Sequence, residues 1–274
     1  MSNESRTHYT IEAAGEMKQE ADDLRFKYYK LTMALQSLSA RLKSDRAREL
    51  MQHGVSRRLM LLHRCVDIIF DLFPPDRVDK LTDDDRLNVE IALHAFLINV
   101  YGVIENTGLA IGYENELIAV NGKDGIHPNN ANLFKAGYQK LLNPALREYL
   151  TTTEIRSWYK DYAKNYRDAF AHRVPPYVPP SALNDDEARE FSEIDRKLQQ
   201  LFPQHKYDEI EKLQERQRSL GRSNPLFVHS FSENAVPLYL HPQVLADFNT
   251  IEQLLNIAMK NFLVSGPSED TAEI

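Results

Sequence analysis

A single cysteine, Cys65, leaves no partner for an intramolecular disulfide and cannot supply a multi-thiolate metal site. Its neighbours Leu62, Ile68 and Ile69 put it on an apolar helical face, where a thiol behaves as a small core residue rather than a nucleophile. The glycine-rich signatures Gly-x-x-x-x-Gly-Lys-Ser/Thr and Gly-x-Gly-x-x-Gly are absent, as is His-Glu-x-x-His. Nothing therefore supports a nucleotide-loop or zincin reading. The nine histidines are scattered without metal-ligand spacing, and no metal or cofactor is expected. No uninterrupted apolar run reaches the roughly 18–20 residues of a membrane span; the longest, "IALHAFLINVYGVI", is broken by His94, Asn99 and Tyr101. The first twenty residues are polar and lack the apolar core of a signal peptide. The expectation is a cytoplasmic protein with no membrane partner. A net charge of −7 argues against a surface coated in basic side chains for gripping duplex DNA. A nucleic-acid partner would need a local basic patch.

What is present is helical periodicity. The 274 residues are 42% apolar and 27% charged, a globular composition, and only 10 are glycine. Apolar residues recur at three- and four-residue spacing through long windows. The first predicted helix runs from about Glu16 to Ala40 on the stripe Leu24, Tyr28, Leu31, Leu35, Leu38. A second spans about Ser44 to Phe73 and ends at Pro74-Pro75. Thr82 followed by "DDDR" is a hydroxyl cap with acids in the first turn, and starts a third helix to about Gly112. These acids serve the helix start better than a cation. Short helices are expected near 131–141 and 144–150, and Thr151 and Glu154 have capping-box spacing for the next. Two charged helices follow in 181–220, then short extended segments in "LFVHSFSENAVPLYLHPQ", and a last helix from about Pro242 to Val264. The fold class is all-α, an antiparallel helical bundle. Residues 1–43 form an N-terminal helical extension, and 44–265 the helical domain with a charged insertion at about 175–240. A disordered tail occupies 266–274.

The chemistry centres on "YRDAFAHRVPPYVPP" (166–180), where four prolines stop a helix just after a cation and an imidazole. Bare Arg-x4-His spacing is weak, because chance alone predicts roughly 0.6 occurrences, and three exist: Arg48…His53, Arg58…His63 and Arg167…His172. Context favours the third. Arg48 belongs to a charged segment, and Arg58 is followed by apolar Leu59 with His63 inside a continuing helix. Arg167 is followed by the short carboxylate Asp168, and His172 stands at a helix terminus. Asp168 and His172 are four apart and can touch, which would orient and charge the imidazole. Arg167 lies about 140° away around the axis. It can converge with His172 on one phosphate only if the last turn unwinds or two copies of the motif face each other. Both groups could also simply cap the helix end.

"YRDAFAH" resembles the Arg-[Asn/Asp/His]-x(3–5)-His signature of HEPN domains, and the approach "WYKDYAKNYRDAFAH" is similar in placing Trp158, Tyr159, Tyr162, Tyr166 and Ala169 or Phe170 on the inner face. The helix order extends the likeness to about 45–265. The resemblance implies an all-α, often dimeric, metal-independent endoribonuclease. His172 would be general base or acid while a ribose 2′-OH attacks the adjacent phosphodiester. Arg167 would hold the scissile phosphate, with Asp168 as the variable polar position, in a cleft between two subunits. RNA is the implied substrate because the 2′-OH is the nucleophile. Lys160, Lys164 and Arg173 lie nearby; residues 154–173 carry five Lys/Arg against three acids, a local reversal of sign that suits phosphate. On the third helix Asn99 and Asn106 share a stripe with Glu105 beside it; they serve interhelical or dimer contacts, or Glu105 and Asn106 line the His172 cleft. A toxin or phage-defence role, with an antitoxin or other regulatory protein, would be analogy alone. The alternatives are a non-catalytic nucleotide- or RNA-binding module and a helical protein-interaction domain.

Overall fold

A computed structural model of the chain describes residues 8–119, 125–230 and 236–262. The expected tail at 266–274 lies outside them. The chain is 73% helix and 4% strand, an all-α helical bundle.

Local signals start most helices. Thr10 caps Ile11–Ser39 (α1), its Oγ1 accepting from Ala13 N at 3.1 Å. The helix thus begins five residues before the periodicity suggested. Ser44 caps Asp45–Glu49 (α2), which continues through a π turn at Leu50–Val55 into Ser56–Leu72 (α3). Thr82 caps Asp83–Glu114 (α4) by accepting from Asp85 N at 3.0 Å. After the short Ala136–Gln139 (α5), Asn143 caps Pro144–Thr151 (α6). Thr153–Ser157 (α7), a second π turn at Trp158–Ala163 and Lys164–His172 (α8) form one continuous rod. The expected capping box at Thr151 and Glu154 does not form. The helix α6 runs far enough that the Thr151 hydroxyl donates back to Arg147 O and Glu148 O, and Thr152 flanks α7 without a side-chain cap. A true capping box occurs between Asn184 and Glu187, opening Asp185–Leu201 (α9). The insertion continues as Tyr207–Ser219 (α10), and the antiparallel pair Leu226–Phe227 (β1) and Leu238–Tyr239 (β2) leads into Leu240–Ala258 (α11).

The centre of the bundle is α4. By length and composition it is apolar enough to cross a membrane, yet 61% of its apolar window is buried inside the fold. One flank packs on α3, the other on α8, and α11 also lies against it. The N-terminal helix α1 shares this core through Leu24, Leu31, Leu35 and Leu38 and packs on α3 and α11. The α9–α10 hairpin has a small apolar cluster of its own, Ile194, Leu198, Ile210 and Leu220. Cys65 is buried, and burial pushes its thiol up to about 11, as a core residue's would be.

Two buried titratable groups on α11 set opposite demands. Asp247 is fully buried and accepts from Trp158 Nε1 (2.8 Å), Tyr162 OH (2.6 Å) and Gln243 Nε2 (2.8 Å). Desolvation raises it from 3.8 to about 6, although those three bonds pull the other way. The His241 ring, packed edge-on against Tyr9, Phe70 and Phe73, is lowered from 6.5 to about 4 by burial. Raising pH from 3.8 to 6 ionises Asp247 first in the unfolded chain, so stability falls. Raising it from 4 to 6.5 removes a proton that only unfolded His241 holds, so stability rises. Each effect is about 3 kcal/mol and they nearly cancel. In Asp247→Asn the His241 effect stands alone, and stability measured by denaturant melts should climb relative to wild type by about that amount from pH 4 to 6.5. A variant curve parallel to wild type would contradict this assignment.

Candidate functional site

The rod carrying the motif is docked before the motif is reached. Trp158 and Tyr162, one turn apart in the second π turn, both donate to Asp247. Tyr159, between them, faces the other way, stacked at 3.7 Å on Phe134 and donating its phenol to Tyr101 OH at 3.3 Å. Asn132 Nδ2 in turn donates to Tyr159 OH. Burial and the Tyr101 contact hold the Tyr159 phenol well above its ordinary range, so it stays a neutral donor. Of the residues expected on the inner face, Tyr159, Tyr162, Tyr166 and Ala169 are buried, and Trp158 and Phe170 are half-buried.

Arg167 then lies over the Tyr101 ring of α4, Cζ 3.9 Å from its centroid, with Nη1 3.1 Å from Asp168 Oδ1. Its Nε is buried and has no partner among the described residues. Asp168 does not turn to His172. Its Oδ2 accepts from Lys164 Nζ at 2.7 Å, and its Oδ1 faces Arg167, so two cations on its N-terminal side have taken the carboxylate. His172 is exposed at the last residue of α8 and makes no hydrogen bond among the described residues. The last turn does not unwind: Arg173 N still donates to Ala169 O at 2.9 Å. Within one chain Arg167 and His172 therefore keep the separation of a regular helix. Arg173 turns back, Nη2 donating to Asn165 Oδ1 (2.7 Å) and O (3.1 Å).

The proline segment is pinned to α4 just beyond His172. His94 Nε2 bonds Pro176 O and its ring meets Phe170 at 4.7 Å, so this imidazole is satisfied. Glu90 Oε1 accepts from Val178 N (3.1 Å). These contacts run α8 antiparallel to α4, with Arg167 at Tyr101 and Phe170 at His94. His172 thus sits at the Ile91–His94 level, and Glu105 lies at least about 16 Å away along the α4 axis (eleven residues from His94). In a single chain Glu105 and Asn106 do not line a cleft with His172. They border a separate depression of about 240 Å³ with Asn129 and Asn132. Lys160 borders another, about 260 Å³, with Arg156 and Asp161. Sequence spacing puts these residues on the right elements but not at the right height.

Asn99 takes the interhelical role, its Oδ1 accepting from Arg58 Nη1 at 2.9 Å. Asn106 abuts Gly54, where a Cβ would stand 2.5 Å from its Nδ2. Reasoning from sequence missed Tyr101, which carries Arg167; Arg58, set aside for its Leu59 neighbour; Asp247; and His229, buried and edge-on to Tyr166. An isolated tyrosine or aspartate on an apolar helix gives no local sign of its distant partner. For Asp247 the break in the apolar α11 stripe is a usable signal.

Comparison with protein-family models, curated proteins and solved structures yields no match.

The arginine–tyrosine contact is measurable. In a double-mutant cycle between Tyr101→Leu and Arg167→Gln, followed by chemical denaturation, the coupling should be about 0.5–1 kcal/mol. Tyr101→Phe should retain it, and additivity would show that the ring does not hold the guanidinium.

Proposed function

We propose that the chain is a metal-independent HEPN-type endoribonuclease acting as a homodimer. The observation that carries this reading is the end of α8: a guanidinium held over the Tyr101 ring and, five residues on, an imidazole left exposed. An exposed histidine that makes no hydrogen bond among the described residues is free to take and give a proton, and an arginine whose side chain is 22% exposed can still present N–H groups to an oxyanion.

In the reaction, neutral His172 takes the proton of a ribose 2′-OH. The 2′-oxygen forms a bond to the adjacent phosphorus and the bond to the 5′-oxygen breaks. The leaving oxygen is protonated by the imidazolium of a second His172, and the products are a 2′,3′-cyclic phosphate and a 5′-hydroxyl. Arg167 stabilises the charge that builds on the phosphorane oxygens.

Two copies are needed because the helix stays regular through His172, which keeps Arg167 and His172 about 140° apart. Three apolar side chains at the same end of the α4–α8 pair support a shared face: Ile91 (64% exposed), Leu87 (49%) and Val174 (45%). The basic cluster of 154–173 would supply the local field for RNA despite the chain's net charge. A cytoplasmic setting, a growth-arrest or phage-defence role and a regulatory protein partner remain part of this proposal by analogy.

In EDTA, purified protein should cut single-stranded RNA to products with 2′,3′-cyclic phosphate ends. His172→Ala and Arg167→Ala should each lower the rate at least about 100-fold, with melting temperatures close to wild type. RNA binding without cleavage would instead establish a non-catalytic module. For assembly, Ile91→Asp should shift the molecular mass in light scattering from dimer to monomer and lower cleavage with it. A wild-type monomer that cleaves RNA would refute the two-copy site.

A further inference from the structure

On the opposite flank of α4 from Arg167 lies a second guanidinium. Arg58 of α3 rests on the bare backbone of Gly102, where a Cβ would stand 2.4 Å from its Cζ and 2.5 Å from Nη1. Its Nη1 donates to Asn99 Oδ1 at 2.9 Å, and Asn99 Nδ2 is committed to Ala95 O at 2.6 Å, which fixes the amide as acceptor. Asn99 is neutral. The ion pairs of α3 involve His63, Arg64 and Asp67. None involves Arg58 among the described residues. By contrast Arg46, Arg48, Arg77, Arg86 and Arg167 all have carboxylates. A half-buried guanidinium whose side-chain hydrogen bond among the described residues is to an amide is left short of counter-charge, which costs stability unless an anion completes it.

The two arginines are placed alike. Tyr101 and Gly102 are consecutive, so their directions from the α4 axis differ by about 100°, and the guanidinia flank the edge of α4 that carries exposed Glu105. Each follows a π turn: Arg58 comes just after Leu50–Val55, Arg167 just after Trp158–Ala163. Such turns shift side-chain phase within an otherwise regular helix and recur at functional sites. Gly54 lets the first turn approach α4 at Asn106, and Gly102 is the gap into which Arg58 fits.

We infer that Arg58 is a second anion-binding position and that it takes another backbone phosphate of the strand whose scissile phosphate Arg167 holds. The inference rests on the ribonuclease reading for its ligand. One phosphate needs one arginine fork; two forks across one helix suit a polyanionic strand, and set which stretch of it lies against α4.

The test measures the affinity of a labelled single-stranded RNA oligonucleotide across a salt series, in a His172→Ala background that prevents cleavage. Arg58→Gln should reduce the magnitude of the log K against log salt slope by about 0.7, as Arg167→Gln should. Gly102→Ala should weaken binding at fixed salt without lowering the melting temperature, because the new methyl displaces a flexible side-chain end within a helix that favours alanine. If Gly102→Ala does not fold, Arg58→Gln decides alone, since glutamine can still donate to Asn99. A slope lowered by Arg167→Gln and unchanged by Arg58→Gln would overturn the Arg58 position and leave the ribonuclease reading standing. No RNA binding in the background protein, or slopes unchanged by both substitutions, would overturn both.

Discussion

The docking of one rod onto two helices through a buried carboxylate is the constraint on which the candidate site depends. Among the described residues Asp247 has no cationic partner; three neutral donors hold it, two of them from the π turn at Trp158–Ala163. Removing an acceptor that serves a half-buried indole and a buried phenol would leave the phenol unsatisfied, at about 1–3 kcal/mol, and the indole short of its partner. The arrangement tolerates a charge that burial disfavours because the same contact fixes the rotation of the rod. With Trp158 and Tyr162 turned to α11, Tyr159 is turned to α4, and Arg167 follows two turns later above Tyr101.

Helix α4 is the platform this rotation addresses. Its buried faces are apolar, yet it carries a polar edge in which small and amide side chains do separate jobs. Gly102 admits a guanidinium, Asn99 orients it, and Tyr101 offers an aromatic face to the other arginine. His94 and Glu90, further toward its N-terminus, tie down the proline segment that follows His172. The imidazole is thus presented on a helix end whose exit path is fixed while its own ring remains open to solvent. That combination suits proton transfer better than capping, since a capping histidine would spend its N–H on the terminal carbonyls.

Much of the fold was legible because its signals are local. Thr82 with three acids behind it, Ser44 ahead of a charged turn and the proline block after His172 each act within a few residues. Thr151 misled for a reason equally local: two threonines precede the helix, and the extent of α6 decided which lay inside it. The Asp168–His172 contact was geometrically open but lost to Lys164, an i−4 neighbour of longer reach and opposite charge.

The amino-acid sequence by itself determined an all-α bundle and singled out Arg167 and His172, because helix periodicity, caps and a motif at a helix stop are written in contiguous residues. Only the tertiary structure decided how those residues are used: which cation Asp168 meets, that Tyr101 supports Arg167, and that Arg58 lies beside Asn99 across 41 positions. It also set Glu105 and Asn106 far along α4 from His172. Such contacts depend on the rotation and height of packed helices, and those are set by side chains meeting across the core rather than by neighbours along the chain.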